Sequence, residues 1–180
     1  MSAARNRVLR AAVQCFADKG YNATTIADIE TAAGLSPGAG GTYRHFPSKQ
    51  AMLEAVVNTV VAAPDDEIAP RGDDVEAIAH RMLDYMDARL VRIFFRDLGQ
   101  FPKLRQQINE RTLSGSYRVV AERIASRNPN IDAEAAAAVI LGALVNFRVN
   151  EALIGDDANG VDRDRFIATW GAMYRQAMEG

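Results

Sequence analysis

The residue types that usually carry chemistry are scarce in this chain. Its 180 residues hold one cysteine, Cys15, and two histidines, His45 and His80. A single thiol excludes an internal disulfide and any multi-cysteine metal site. No Ser/His/Asp arrangement or carboxylate pair stands out. The "GAGG" of residues 38–41 follows no strand, so it is not a nucleotide fingerprint. His80 shares a helical face with Glu76, Asp84 and Asp87, a spacing a metal could use. With no second histidine nearby, that face reads as solvated, with His80 paired to Asp84. Cys15 lies on an apolar stripe and reads as a buried, inert thiol. No metal and no cofactor is expected. What remains is "LSPGAGGTYRHFPSK", Leu35–Lys49, where three glycines and a proline precede the aromatic pair Tyr43 and Phe46. This is either a loop between helices or a helix whose side chains are kept small.

The elements around that stretch read as helix throughout. Val8, Ala12, Cys15 and Phe16 recur at helical spacing, and Gly20 supplies a stop after Lys19. A second helix starts at Thr24 or Thr25. With Thr25 as N-cap, Asp28 stands three residues on, as in a capping box, and Gly34 ends the helix. Ser36 as N-cap and Pro37 at the first helical position open the next, and Pro47 closes it. Ser48 caps a further helix through Met52, Leu53, Val56 and Val57. "APDDEIAPRGDD", Ala63–Asp74, is the one convincing linker. Beyond it, helices are expected from Asp74, after a break near Asp87, and in one long run from Pro102 past Ile124. Two more are expected from Asp132 and Asp162. Their stripes include Met82, Tyr85, Met86, Tyr117, Phe166, Trp170, Met173 and Tyr174. The chain is thus all-α, of about nine helices: residues 1–62, a linker at 63–73, and a second domain over 74–180.

Composition sets further bounds. The chain is 48% hydrophobic, enough for a real core. The longest apolar run, Ala135–Val145, is too short to cross a bilayer, and the N-terminus has no long apolar segment of a secretory signal. A cytoplasmic protein with no membrane partner is the simplest reading. Residues 1–60 carry six Lys/Arg against four Asp/Glu, while the remainder carries fifteen against nineteen. A mildly basic end on an acidic body suits an anionic partner bound at that end.

"RVLRAAVQCFADKGYNATTIADIETAAGLS" followed by "YRHFPSKQAMLEAV" resembles the N-terminal domain of the tetracycline-repressor family of bacterial transcriptional regulators. The likeness covers the first third of the chain, with Phe16, Gly20, Tyr21, Thr24, Thr25, Ile29, Ala33, Gly34, Ser36, Tyr43, His45, Phe46, Ser48 and Lys49 in register. It implies a helix-turn-helix whose third helix, Ser36–Phe46, enters the major groove of an operator. It also implies phosphate contacts from Thr24 or Thr25, Tyr43, His45 and Lys49. Helix N-termini and positive side chains suit that role, since phosphate contacts supply much of the affinity for DNA. Base edges would fall to Thr42, Arg44 and Ala39, with Gly38, Gly40 and Gly41 letting the backbone approach.

The resemblance further implies a homodimer and a small-molecule ligand. The ligand would lie among Met82, Tyr85, Met86, Phe94, Phe95, Leu98, Phe101, Tyr117, Asn146, Phe147 and Asn150. The last two helices would form the dimer face with Val139, Ala143, Leu144, Phe166, Trp170, Met173 and Tyr174. The expectation is a non-enzymatic, ligand-responsive repressor released from a palindromic operator by a small apolar or aromatic inducer. The rival is a helical small-molecule-binding protein or enzyme with a vestigial helix-turn-helix. One departure stands out: six residues, "PGAGGT", separate Ser36 from Tyr43 where the family commonly has four. As a helix, that segment would be longer and weaker, since each interior glycine costs about 1 kcal/mol relative to alanine.

Overall fold

The computed structural model describes residues 2–61, 74–110, 114–155 and 160–179. The expected linker at 63–73 lies outside them. Nine α-helices occur among the described residues: α1 (Ala3–Lys19), α2 (Ile26–Ala32), α3 (Lys49–Val61), α4 (Val75–Tyr85), α5 (Ala88–Asp97), α6 (Pro102–Ile108), α7 (Ser114–Ala125), α8 (Ala133–Leu153) and α9 (Arg163–Met178). Two short 3-10 turns, Thr42–Arg44 and Leu98–Gln100, complete them.

Most helix starts are fixed by capping side chains, all but Ser2 at positions the sequence suggests. The hydroxyl or carboxylate of Ser2, Thr25, Ser48, Asp74, Asp132 and Asp162 each accepts a backbone N–H three residues on. Such a cap satisfies a donor that the helix itself cannot pair. At the end of α2, Gly34 takes φ +68°. Its N–H reaches the Thr31 carbonyl at 3.0 Å, while the Leu35 N–H reaches that of Glu30 at 2.8 Å. This is a Schellman closure, which needs the left-handed backbone that glycine adopts freely.

Two expectations fail. The run expected from Pro102 as one helix divides between the two compact units, α6 in one and α7 in the other, and residues 111–113 between them lie outside the described residues. The stretch Ser36–Phe46 is not an α-helix: its glycines at 38 and 40 are left-handed, and only Thr42–Arg44 forms a 3-10 turn.

The chain divides into two compact units, residues 1–62 with 92–108, and residues 63–91 with 109–180. The first packs α1, α2 and α3 around Val8, Ala12, Phe16, Ile29, Phe46, Met52, Leu53, Val56 and Val57. The second half of α5, the Leu98–Gln100 turn and α6 join the same unit. There Gln107 donates to Asn58 at 2.8 Å and Asn22 to Gln100 at 3.0 Å.

In the second unit, α4, α7, α8 and α9 enclose a core of Leu83, Val120, Ile124, Ala137, Leu141, Leu144, Ile167 and Trp170. The indole N–H of Trp170 donates to the Ile140 carbonyl at 2.8 Å, which satisfies its one polar atom. The Phe147 and Phe166 rings stack at 4.1 Å between α8 and α9. A Cβ on Gly171 would stand 2.7 Å from the Glu76 carboxylate, so α4 and α9 meet where one residue has no side chain. By length and composition α8 is apolar enough to cross a membrane. Its inner face, however, is the core of this four-helix unit.

Leu144 is fully buried at the centre of that core. Leu144→Ala should therefore lower the unfolding free energy in urea by about 2–5 kcal/mol, the range for an unfilled leucine cavity.

Candidate nucleic-acid interface

The N-terminal head is built outward from the turn between α1 and α2. Gly20 (φ +88°) ends α1, and its N–H donates to the Phe16 carbonyl at 3.0 Å. Thr24 is buried beneath that turn, where its hydroxyl meets the Gly20 carbonyl at 2.7 Å and that of Cys15 at 3.0 Å. The Lys49 ammonium crosses from the start of α3 to donate to the carbonyls of Tyr21 and Thr24, both at 2.7 Å. It stands 4.5 Å from the centre of the Tyr21 ring. Thr24 and Lys49 were expected to hold DNA phosphates. In this structure both hold the protein's own backbone, because a turn of this tightness leaves carbonyls that only a buried hydroxyl and a long cationic arm can reach. Burial also pushes the Cys15 thiol above its ordinary pKa, in keeping with an inert cysteine.

Thr25 is exposed at the N-terminus of α2 and forms the full capping box. Its hydroxyl accepts the Asp28 N–H at 3.1 Å, and the Asp28 carboxylate accepts the Thr25 N–H at 2.8 Å. Lys19, at 2.6 Å, together with Thr25, holds the Asp28 carboxyl well below the usual carboxylate range.

The glycine-rich stretch is a pair of turns. The Ala39 N–H returns to the Ser36 carbonyl at 3.2 Å with Gly38 at φ +79°, so "SPGA" has the pattern of a type II turn: proline second, glycine third. Gly40 follows at φ +70°, and its carbonyl accepts the Tyr43 N–H at 3.1 Å. Ser36 therefore caps no helix. The organiser is Glu30, fully buried in the last turn of α2. Its carboxylate accepts the Gly38 N–H at 2.7 Å, the Thr42 hydroxyl at 3.3 Å and, more weakly, the Thr42 N–H at 3.4 Å. The Gly38 N–H, followed by those of Thr42 and Gly41 and the Thr42 hydroxyl, draws its pKa below the ordinary value against the opposing effect of burial. Each N–H turned toward this carboxylate is lost to a helical ladder.

Thr42, expected at a base edge, is thus buried against Glu30. The groups left facing outward are Tyr43 (54% exposed), Arg44, Ala39 and Ser36, with His45 half-exposed. Phe46 is buried as a core residue, and the Arg5 guanidinium lies 4.6 Å from its ring centre. Sequence reasoning missed Glu30. The available signal was its position four residues after Ile26 and three before Ala33, on the apolar stripe of α2.

The ligand and dimer residues divide in the same way. Phe94, Phe95, Leu98 and Phe101 lie in the segment that folds with the N-terminal unit. There Phe101 meets Tyr21 edge-on at 4.9 Å, Leu98 is buried and Phe95 is exposed. Arg96 donates to the carbonyls of Phe16 and Ala17, and Asp97 accepts the Tyr21 N–H at 3.1 Å. This segment therefore caps the end of α1.

In the second unit, Met82, Met86 and Tyr117 pack half-buried against the core, and Tyr85 is half-buried. Phe147 is taken up by Phe166, and Asn150 donates to Asn146 at 3.1 Å. Arg148 donates to the Met86 carbonyl at 2.6 Å, and Arg163 bridges Glu151 and Asp84. The expected His80–Asp84 pair is replaced by Arg163–Asp84, and Glu76 pairs with Arg175 at 2.8 Å. Of the dimer residues, Leu144, Trp170 and Tyr174 are core and unavailable to a partner. Val139 and Met173 are more than half exposed, and Ala143 and Phe166 are half-buried.

The turn reading has a test whose sign decides. Gly40→Ala should cost about 1–2 kcal/mol in urea unfolding, because Gly40 is left-handed. In an α-helix the same change would stabilise by about 1 kcal/mol.

Residues 8–56 match the profile of the bacterial regulatory proteins of the tetR family. An HTH-type transcriptional regulator of Mycobacterium bovis is 30% identical over 121 residues, 67% of this chain and 62% of that protein, so the chain spans less than two thirds of that relative. The HTH-type transcriptional repressor KstR2 of Mycolicibacterium smegmatis is 43% identical over 53 residues, 29% of this chain and 25% of its own. The solved structure of AibR in complex with isovaleryl coenzyme A and operator DNA superposes with a TM-score of 0.69. It covers 94% of this chain and 97% of AibR at 14% identity, a likeness of fold. Together with the helical head built on α1–α3, these matches make residues 8–56 similar to the N-terminal domain of the tetR family of bacterial regulatory proteins.

Proposed function

We propose that the protein is a ligand-responsive DNA-binding transcriptional regulator. In this reading it is a cytoplasmic homodimeric repressor that leaves a palindromic operator when a small apolar or aromatic inducer binds. The observation that carries the reading is the tetR-family match over residues 8–56, on a head that presents Thr25, Tyr43, Arg44 and His45 at its surface. Thr25 stands exposed at the start of α2, the positive end of that helix, which suits a phosphate oxygen. Tyr43 and His45 supply further phosphate donors, and Arg44 is the side chain suited to a guanine edge. In this reading the two-residue longer, glycine-rich reading segment defines a subgroup of the family.

The repressor sense is supported by KstR2, named as a repressor, and the ligand sense by AibR, solved with an acyl coenzyme A thioester and operator DNA. In this chain the inducer would sit in the second unit, residues 63–91 with 109–180, beside Met82, Tyr85, Met86 and Tyr117. Methionine and aromatic walls suit an adaptable apolar site. Its effect on DNA would equal its differential affinity for the bound and released conformations. No catalytic step is assigned to the protein.

Fluorescence anisotropy on its own upstream DNA, against a scrambled fragment and across a salt series, tests the DNA reading. Wild type should prefer the upstream fragment. Arg44→Ala should cost about 1–3 kcal/mol at one position of the site if it reads a base, or lower the salt slope by about 1 if it holds a phosphate. Binding that never exceeds the scrambled control would leave the rival reading, a binding protein or enzyme with a vestigial head.

The dimer has its own test. Val139 on α8 and Met173 on α9 are large apolar side chains at the surface of the helices proposed to meet a partner. The double variant Val139→Asp, Met173→Asp should sediment as a folded monomer where wild type sediments as a dimer. It should also lose affinity for a palindromic site while each head stays intact.

A further inference from the structure

We propose that Glu30 is the positioning residue of the DNA-reading segment: its buried carboxylate, closed over by Gly38 and Thr42, sets the sequence selectivity displayed by Arg44. The proposal rests on the DNA-binding function proposed above.

Glu30 is 0% exposed, and no cation among the described residues pairs with it. Its partners are backbone N–H groups and one hydroxyl, all from a single stretch, Gly38–Thr42. A carboxylate in the last turn of a helix lies at the negative end of the helix dipole, where an anion is disfavoured. Burial disfavours it again. The donors that make the position tenable are those of the reading segment, so the segment and the carboxylate depend on each other.

The two ends of this link differ in how firmly they are held. The helix α2 is fixed without the segment, through the Thr25–Asp28 capping box, the closure at Gly34 and its packed residue Ile29. The segment has no ladder of its own. It consists of two turns and a 3-10 turn, with left-handed backbone at Gly38 and Gly40. Glu30 thus transfers the position of α2 to a stretch that cannot position itself.

The consequence reaches the surface through one residue. Thr42 is buried, with its hydroxyl on Glu30, and its carbonyl accepts the N–H groups of both His45 and Phe46, at 2.9 and 3.0 Å. With Thr42 held inward, the next two side chains, Tyr43 and Arg44, stand outward. If the carboxylate is removed, both ends of this turn lose their reference point, while the exposed phosphate-binding groups remain.

Glu30→Ala and Glu30→Gln in the full-length protein test this. The readouts are the ratio of scrambled to upstream-fragment Kd at fixed salt, the salt slope, and amide hydrogen exchange at Gly38 and Thr42. In Glu30→Ala the ratio should fall at least about tenfold, because a base contact misplaced in the groove loses its discrimination. The affinity for scrambled DNA and its salt slope should stay near wild type, since they report phosphate contacts. The Gly38 and Thr42 amides should lose protection that wild type shows.

Glu30→Gln should fall between the two, since its amide offers one accepting oxygen and sets an NH2 group against the remaining donors. It also keeps the test open if the alanine variant does not fold. Wild-type discrimination in both variants would overturn the proposal, as would Gly38 and Thr42 amides exchanging in wild type as fast as in Glu30→Ala. If wild type itself does not prefer the upstream fragment, the DNA-binding reading is what fails. The exchange data then decide by themselves whether Glu30 orders the segment.

Discussion

A carboxylate buried away from cations must be met by hydrogen-bond donors, and in this protein that requirement shapes the N-terminal head. Glu30 draws its donors from the backbone of Gly38–Thr42. A backbone N–H directed at a side chain on a neighbouring helix cannot also close a helical ring. The segment between Ser36 and Phe46 therefore takes turns in place of helix. Glycines at 38 and 40 supply the left-handed backbone those turns need.

The same logic of unpaired backbone groups runs through the rest of the head. The end of α1 and the turn after it leave carbonyls without partners in the helix. Thr24, Lys49 and Arg96 supply those partners, each from a different part of the chain. Side chains whose types suit DNA phosphates are thereby used to hold the scaffold. The outward set contracts to Thr25, Ser36, Ala39, Tyr43, Arg44 and His45. A smaller set places more weight on the geometry of the turn that carries Tyr43 and Arg44.

The second unit follows a different rule. Its core is apolar, from four helices, with Trp170 and the stacked Phe147–Phe166 pair between α8 and α9. Its charges gather at the ends, where Arg163 bridges Glu151 and Asp84 and Arg148 caps the Met86 carbonyl. Because α8 is apolar on nearly every side, burying one face still leaves Val139 and Leu153 outside. An apolar face of that kind on a polar-ended helix is what a partner subunit would cover.

By itself, the sequence determined most of the helix starts. Caps at Thr25, Ser48, Asp74, Asp132 and Asp162 act on donors three residues away, so local spacing is enough to read them. It also located the head, since the residues in register across Phe16–Lys49 are those the tetR-family match contains. Ser36-Pro37 was ambiguous because a helix start and a type II turn open on the same residues. The choice between them came from Glu30, which reaches eight and twelve residues along the chain to Gly38 and Thr42. Which stripe residues are core and which face outward on α8 and α9 was likewise set by neighbours distant in sequence. Trp170 is held by Ile140, and Phe147 by Phe166. Tertiary structure alone decided these matters, because a buried polar group takes whatever partner the fold brings within about 3 Å, and periodicity carries no record of that partner.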